Sequence, residues 1–308
     1  MDYKKIIKNR KTRFYILKVL SFVPDSIMLK IQYRIKLGRK LNLKSPQRFT
    51  EKLQWYKMHY RNPIMHQCVD KYAVRKFVKG RGLENTLVDL YGHYKSIRDV
   101  DFESLPNSFV IKTTHGGGGL NVVVCTDKSN LNLDEVREKL DFKEKRVEYN
   151  GGGREWAYYG LKTGIVVEEL LVNKDNPEAG VNDYKIFCYN GKPKFIVVDV
   201  DRYIGHKRNF YDADWNNLYV TSDCPASDRE IEKPKNYDEM LKIAATLSKG
   251  FPYVRVDLYN IEGKIYFGEM TFYPWSGYVR YDPDEFDKDA GNHFKLIKWG
   301  GDPLNKNK

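Results

Sequence analysis

The sequence lacks the patterns of a zinc knuckle, a disulfide framework and a membrane span. Its four cysteines, Cys68, Cys125, Cys188 and Cys224, stand far apart with no CxxC pair, so reduced thiols in a cytoplasmic protein are the expectation. The six histidines show no HExxH, His-x-His or Cys/His spacing, and no zinc is expected. No GxSxG occurs, which argues against a hydrolase triad. No apolar run approaches the length of a membrane span, and the basic amino terminus lacks a long apolar core with a small-residue cleavage site. The expectation is a soluble chain that is not exported, at most peripheral at the cytoplasmic membrane. Internal repeats and low-complexity tracts are absent as well.

What is present is a folded globular chain. It has 308 residues, 41% of them hydrophobic and 14% aromatic, enough for two or three sub-domains with sizeable cores. The net charge of +12 permits nucleic acid, a membrane surface or anionic substrates, and does not choose among them.

Residues 1–40 are basic and helical in period, with Phe14, Leu17, Val19 and Leu20 as one apolar patch. Ile27, Leu29, Ile31 and Ile35 make another beyond the break at Pro24. This segment reads either as a solvated helical hairpin packed on the body or as a basic surface resting on anionic lipid or on a lipid-linked substrate. Helices follow over 45–80, one opening at Ser45-Pro46 and a second ending at Gly80 and Gly82. Strand character takes over at 86–126, with SFVIKTTH, the glycine-rich turn HGGGG at 115–119, and LNVVVC. A short helix is expected at 134–140, a loop at 146–156 and a buried strand at 164–171. A hairpin at 183–201 closes on Asn190-Gly191. The helix at 236–250 carries a capping box from Asn236 to Glu239.

The stretch FPYVRVDLYNIEGKIYFGEMTFYPWSG, 251–277, reads as two paired strands. An even-numbered loop would send Glu269 to the face opposite Asp257. A three-residue loop, Ile261-Glu262-Gly263, pairs Arg255 with Glu269 and makes Asp257 and Glu269 diagonal neighbours roughly 7–8 Å apart. Two acids so placed, flanked by Arg255, can hold one or two Mg²⁺; taken alone they are also compatible with solvated strand-end charges. Glycines 116–119 let backbone N–H groups approach a phosphate, with Lys112 supplying charge and His115 adjacent. No GK[ST] follows and a strand comes next, so this is neither a P-loop nor a dinucleotide fingerprint. Lys71 and Arg75, at i and i+4, can share one helical face toward phosphate. A pure charge binder needs no paired acids, and nucleic acid is not expected as a partner.

In this order the pieces resemble the ATP-grasp superfamily, and within it the TupA-like (teichuronopeptide-biosynthesis) branch. The blocks that carry the resemblance are NLKSPQRFTEKLQW at 42–55, DKYAVRKFV at 70–78, SFVIKTTHGGGGLNVVV at 108–124, NDYKIFCYNGKPKFI at 182–196, and the 251–277 stretch. The resemblance implies an α+β fold with nucleotide bound between two α+β subdomains. The expected division is a helical region at 1–80, a lid subdomain at 81–171 and a carboxy-terminal subdomain at 172–308. It implies ATP phosphates held by Lys71 and Lys112 under a lid of Gly116, Gly117, Gly118 and Gly119. Adenine would meet Glu168, Glu169, Leu170 and Leu171, and ribose Asp183, with Lys185 nearby. Asp257 and Glu269 become Mg²⁺ ligands, with Thr271 where an asparagine usually stands, and Arg255 steadies an acyl-phosphate. The implied reaction is ATP-driven joining of an amino acid or small amine to a uronic-acid carboxylate of a surface polysaccharide precursor. The loop from Tyr273 to Arg280, including Trp275, Ser276, Gly277 and Arg280, is the expected acceptor site, with Arg202 and His206 nearby. A kinase, a glycosyltransferase and a non-catalytic basic binder are the alternatives.

Overall fold

In the computed structural model, the described residues are 9–116, 121–141 and 153–300. Two antiparallel sheets organise the chain. The smaller has the order β1 (Leu90–Tyr94), β4 (Ile165–Glu168), β2 (Phe109–Thr113), β3 (Val122–Cys125). The larger runs β7 (Lys207–Asp212), β6 (Lys192–Val200), β5 (Asp183–Tyr189), β8 (Tyr253–Ile261), β9 (Lys264–Thr271).

Alternation explains the small sheet. Phe109, Ile111 and Thr113 point inward from β2 while Val110 and Lys112 face the other way. Its core of Phe109, Ile111, Ile165 and Val167 is completed by Val136 and Leu140 of helix α6 (Leu133–Leu140). The larger sheet is buried on both faces. Cys188 of β5 reaches the carbonyl of Ala244 in α7 (Tyr237–Ser248), so the even-numbered side of β5 lies under that helix. On the odd-numbered side Phe187 meets Phe49 of α3 (Phe49–His59) edge-on at 6.0 Å. Phe49 also packs on Tyr189, Tyr253 and Phe294, tying α3 and α8 (Glu285–His293) to the sheet.

Ahead of α3 lie α1 (Arg10–Val19) and α2 (Asp25–Leu37), broken at Pro24. After it come α4 (Ile64–Val69) and α5 (Val74–Gly80). Three local expectations are corrected. Helix α3 starts at Phe49 rather than Ser45, because the Glu51 carboxylate accepts the backbone N–H groups of Gln47 and Arg48 at 2.9 and 3.2 Å and ends the helix there. Lys71 sits in the turn before α5, not on a helical face shared with Arg75. The Asn236 side chain makes no cap. It donates to Gly263 O at 2.7 Å and accepts from Asn260 at 2.6 Å, holding the β8–β9 turn instead.

Candidate active site

The β8–β9 turn has two residues, Glu262 and Gly263, both in the left-handed region at φ 50° and 84°. This corrects the expected three-residue loop. Continued without interruption, that register would put Asp257 opposite Gly268 and Glu269 on the far face. Instead the pairing shifts between Asp257 and Leu258, so Asp257 stands opposite Glu269 and Leu258 opposite Phe267. Gly268 is the extra residue of this bulge. A Cβ there would lie 3.0 Å from the Asp257 carbonyl and 3.1 Å from the Tyr259 ring. The acids are thus direct rather than diagonal neighbours, and Arg255 faces Thr271 rather than Glu269.

Arg255 grips both oxygens of Asp257 at 2.6 Å and reaches Glu269 at 3.2 Å and Thr271 at 3.1 Å. Thr271 donates to Glu269 at 3.0 Å. Burial pushes the Asp257 carboxyl up to about 7, against the pull of Arg255 and Lys185. Burial works the same way on Glu269, but Arg255, Lys71 and Lys185 outweigh it and hold that carboxyl below its ordinary value. Asp257 is buried, whereas the Glu269 side chain keeps 41% of its surface open. Among the described residues no group of three or more His, Cys, Asp or Glu side chains forms a metal cage. In this structure the charge of the pair is met by the Arg255 guanidinium, which bridges the two carboxylates and the Thr271 hydroxyl.

The neighbouring strands extend the charged face. Asp183 is held by Lys185 and by Arg202 at 2.9 Å, yet its buried Oδ1 has no hydrogen-bond partner. Lys185 also lies 3.2 Å from Asp199 and 3.9 Å from Asp257. Asp199 is clamped by Arg208 at 2.6 and 3.3 Å, with His206 at 3.2 Å. Although burial opposes it, Lys185 and Arg208 hold the Asp199 carboxyl well below the usual range. Above this face lies Trp275, whose ring is 4.8 Å from the Arg208 guanidinium and 5.6 Å from that of Arg255.

Trp275 and Ser276 are left-handed, at φ 48° and 55°, a strained state for residues with side chains. Buried groups hold it. Gln54 donates to the carbonyls of Ser276 and Gly277 at 3.1 and 3.0 Å, Lys57 donates to Ser276 O at 2.9 Å, and the Ser276 hydroxyl donates to Glu155. Burial lowers the Lys57 ammonium to about 7. Arg280 stands apart from the charged face and reaches Lys36 O at 3.3 Å.

On the smaller sheet, Glu168 turns its carboxylate to Lys112 at 2.6 Å and Arg75 at 3.2 Å. Lys71 hydrogen-bonds through its backbone to Thr114 and through Nζ to Gly116 O at 2.9 Å. Burial lowers the Lys71 ammonium, and Glu269 opposes that shift more than any other neighbour. His115 is buried, contacts Thr163 at 2.8 Å and is lowered by burial below its ordinary value. Gly117, Gly118 and Gly119 of the expected lid, and most of the loop expected at 146–156, lie outside the described residues. Glu169, Leu170 and Leu171 line a cleft of about 380 Å³ whose other wall includes Ile261 of β8 and Tyr266 of β9.

Sequence reasoning missed Arg208, Asp199, Gln54, Lys57 and Glu155. Arg208 carried one usable signal, its alternation with Phe210 along β7. Lys57 carried none, since lysines are rarely buried.

One antiparallel sheet thus carries Lys112 beside the glycine turn, and the other carries the facing acids Asp257 and Glu269. The TupA-like ATP-grasp family matches residues 51–295, and the chain belongs to that family. Comparison with curated proteins yields no match. Among solved structures, the chain is similar to D-alanine–D-alanine ligase from Bacillus anthracis, at 18% identity and a TM-score of 0.39 over 67% of this chain and 57% of that one. It is similar to L-amino acid ligase from Bacillus licheniformis at 15% identity and a TM-score of 0.44, over 77% of this chain and 52% of that one. D-alanine–D-alanine ligase from Helicobacter pylori gives 14% identity and a TM-score of 0.45, over 82% and 68%. The chain thus spans a little over half the length of the first two.

Proposed function

We propose that this protein is an ATP-dependent carboxylate–amine ligase. The supporting observation is that Lys71, tied through Nζ to the glycine turn beside one sheet, directly follows α4, which packs on β9, the strand that carries Glu269 of the facing acids. In this reading the phosphate-binding and cation-binding groups surround one gap.

In this reading ATP is a substrate lying between the sheets. Its adenine occupies the cleft at Leu170 and Leu171, and a ribose hydroxyl meets the unpartnered Oδ1 of Asp183. Lys71 and Lys112 neutralise phosphate oxygens, and Lys112 exchanges part of its contact with Glu168 to do so. Mg²⁺ would be held by Asp257 and Glu269 with the Thr271 hydroxyl nearby, and would supply charge neutralisation at the transferring phosphoryl group. The acceptor carboxylate attacks the γ-phosphorus and ADP leaves. An amine, an amino acid or small amine, then attacks the acyl carbon and phosphate leaves. Arg255 steadies the developing oxyanion.

The ring of Trp275, backed by the Arg208 and Arg255 guanidiniums, suits a sugar face, and a uronic acid of a surface-polysaccharide precursor is the proposed acceptor class. The test is a panel of uronic-acid sugar nucleotides against amines, read by ADP, phosphate and amide. A ligase gives all three only when carboxylate and amine are both present. ADP with a phosphorylated product and no free phosphate makes the enzyme a kinase and overturns the reading.

A further inference from the structure

The charge of this chain is confined to one end. Residues 1–48 carry 14 lysines and arginines against two acids, Asp2 and Asp25; the other 260 residues carry 39 basic and 39 acidic side chains. The net +12 therefore lies in residues 1–48, the segment that includes α1 and α2. Asp25 does not offset it at the surface, because Arg154 binds its carboxylate at 2.8 Å.

Helix α2 has two apolar faces. Leu29, Tyr33 and Leu37 are buried against the body, with Tyr33 bonded to Thr50 at 2.8 Å. Ile27, Ile31 and Ile35, each two positions from that series and so on the opposite side of the helix, are 48%, 47% and 42% exposed. The sequence grouped Leu29 with them; the structure separates it. Upstream, Tyr15, Val19 and Phe22 are also exposed, Phe22 at 80%. Lys30 and Arg34, both exposed, flank the isoleucine row. Single exposed apolar residues are ordinary; six along two successive helices and the turn between them, inside the one cationic segment, are not.

We propose that this face docks on an anionic phospholipid bilayer, with α1 and α2 lying in the interface, the isoleucine row among the acyl chains and the cations at lipid phosphates. No helix among the described residues is long and apolar enough to cross a membrane, which fits a helix lying on the surface. The buried face of α2 supports the loop following Trp275: Tyr278 donates to Gln32 at 2.7 Å and Arg280 reaches Lys36 O. Docking therefore brings that loop close to the bilayer.

The test is co-sedimentation of the full chain with vesicles, without ATP or acceptor, so its outcome is independent of the ligase reading. Point variants are used because truncation would remove the buried Leu29 and Tyr33. Phosphatidylcholine vesicles containing phosphatidylglycerol should bind about tenfold or more tighter than phosphatidylcholine alone, and the binding should weaken in high salt. Ile27→Ser/Ile31→Ser/Ile35→Ser should lose about tenfold or more, Lys30→Gln/Arg34→Gln severalfold, each with an unchanged melting temperature. Ile31→Glu alone serves should the triple variant misfold. No binding to anionic vesicles, equal binding to neutral ones, or full binding by the isoleucine variants overturns the proposal. So does a dimer in light scattering that the triple variant converts to monomer without vesicle binding.

Discussion

Asp257 and Glu269 face one another across β8 and β9 because Gly268 adds one residue to β9 between them. The contacts of Glu269 with Arg255 and Thr271 follow from that bulge. Without it Glu269 would point away from Arg255, Lys185 and Lys71.

Gly268→Ala tests the bulge. A Cβ at 3.0 Å from the Asp257 carbonyl must displace backbone rather than a flexible side chain, so the expected cost is about 1–3 kcal/mol. ATP turnover should fall more than tenfold, as shifting the Asp257 backbone misaligns its carboxylate. Denaturant melts and ADP release check the two effects. Wild-type turnover in a variant with the expected stability loss would separate the bulge from the chemistry.

Lys57 makes stability depend on pH. Its folded value lies near 7 and its unfolded value at the ordinary lysine value of 10.5, so between them the unfolded chain binds the extra proton. Stability should therefore rise with pH through that window, with a slope approaching about 1.4 kcal/mol per pH unit. Lys57→Met should remove this slope. Urea melts at pH 7, 8 and 9 on both proteins measure it; parallel curves would contradict the assignment.

Phe49→Ala should cost about 3–5 kcal/mol, because Phe49 is fully buried among Phe187, Tyr189, Tyr253 and Phe294. Equilibrium denaturation checks it, and a loss under about 1 kcal/mol would mean that the site collapses around the cavity.

Arg208→Lys keeps the charge but loses the planar fork that binds Asp199 through two nitrogens. The KM for the acceptor carboxylate should rise about tenfold or more while that for ATP changes little. An equal rise in both would place Arg208 outside the acceptor site.

The sequence made some of this legible and hid the rest for physical reasons. Period-two patterning and Asn190-Gly191 located the β5–β6 hairpin, because local alternation and a turn needing φ > 0 are visible in a few residues. The acids share one face in either case, since a two-residue turn plus a bulge has the same parity as the expected three-residue turn. An isolated glycine inside the strand pattern was the available sign. The Arg208–Asp199 clamp depends on how β6 and β7 pair, and the Lys57–Ser276 bond joins residues 219 apart. Neither can be read from local spacing. In α2 the helical period was clear, but two apolar series, one buried and one exposed, overlap in a single helix.

The central claim is that the facing acids serve ATP chemistry, and the most direct measurement is ADP release by Asp257→Asn and Glu269→Gln, each with a thermal melt. The account expects turnover in both to be abolished while the melt shows an intact fold. Full activity in either folded variant would contradict it.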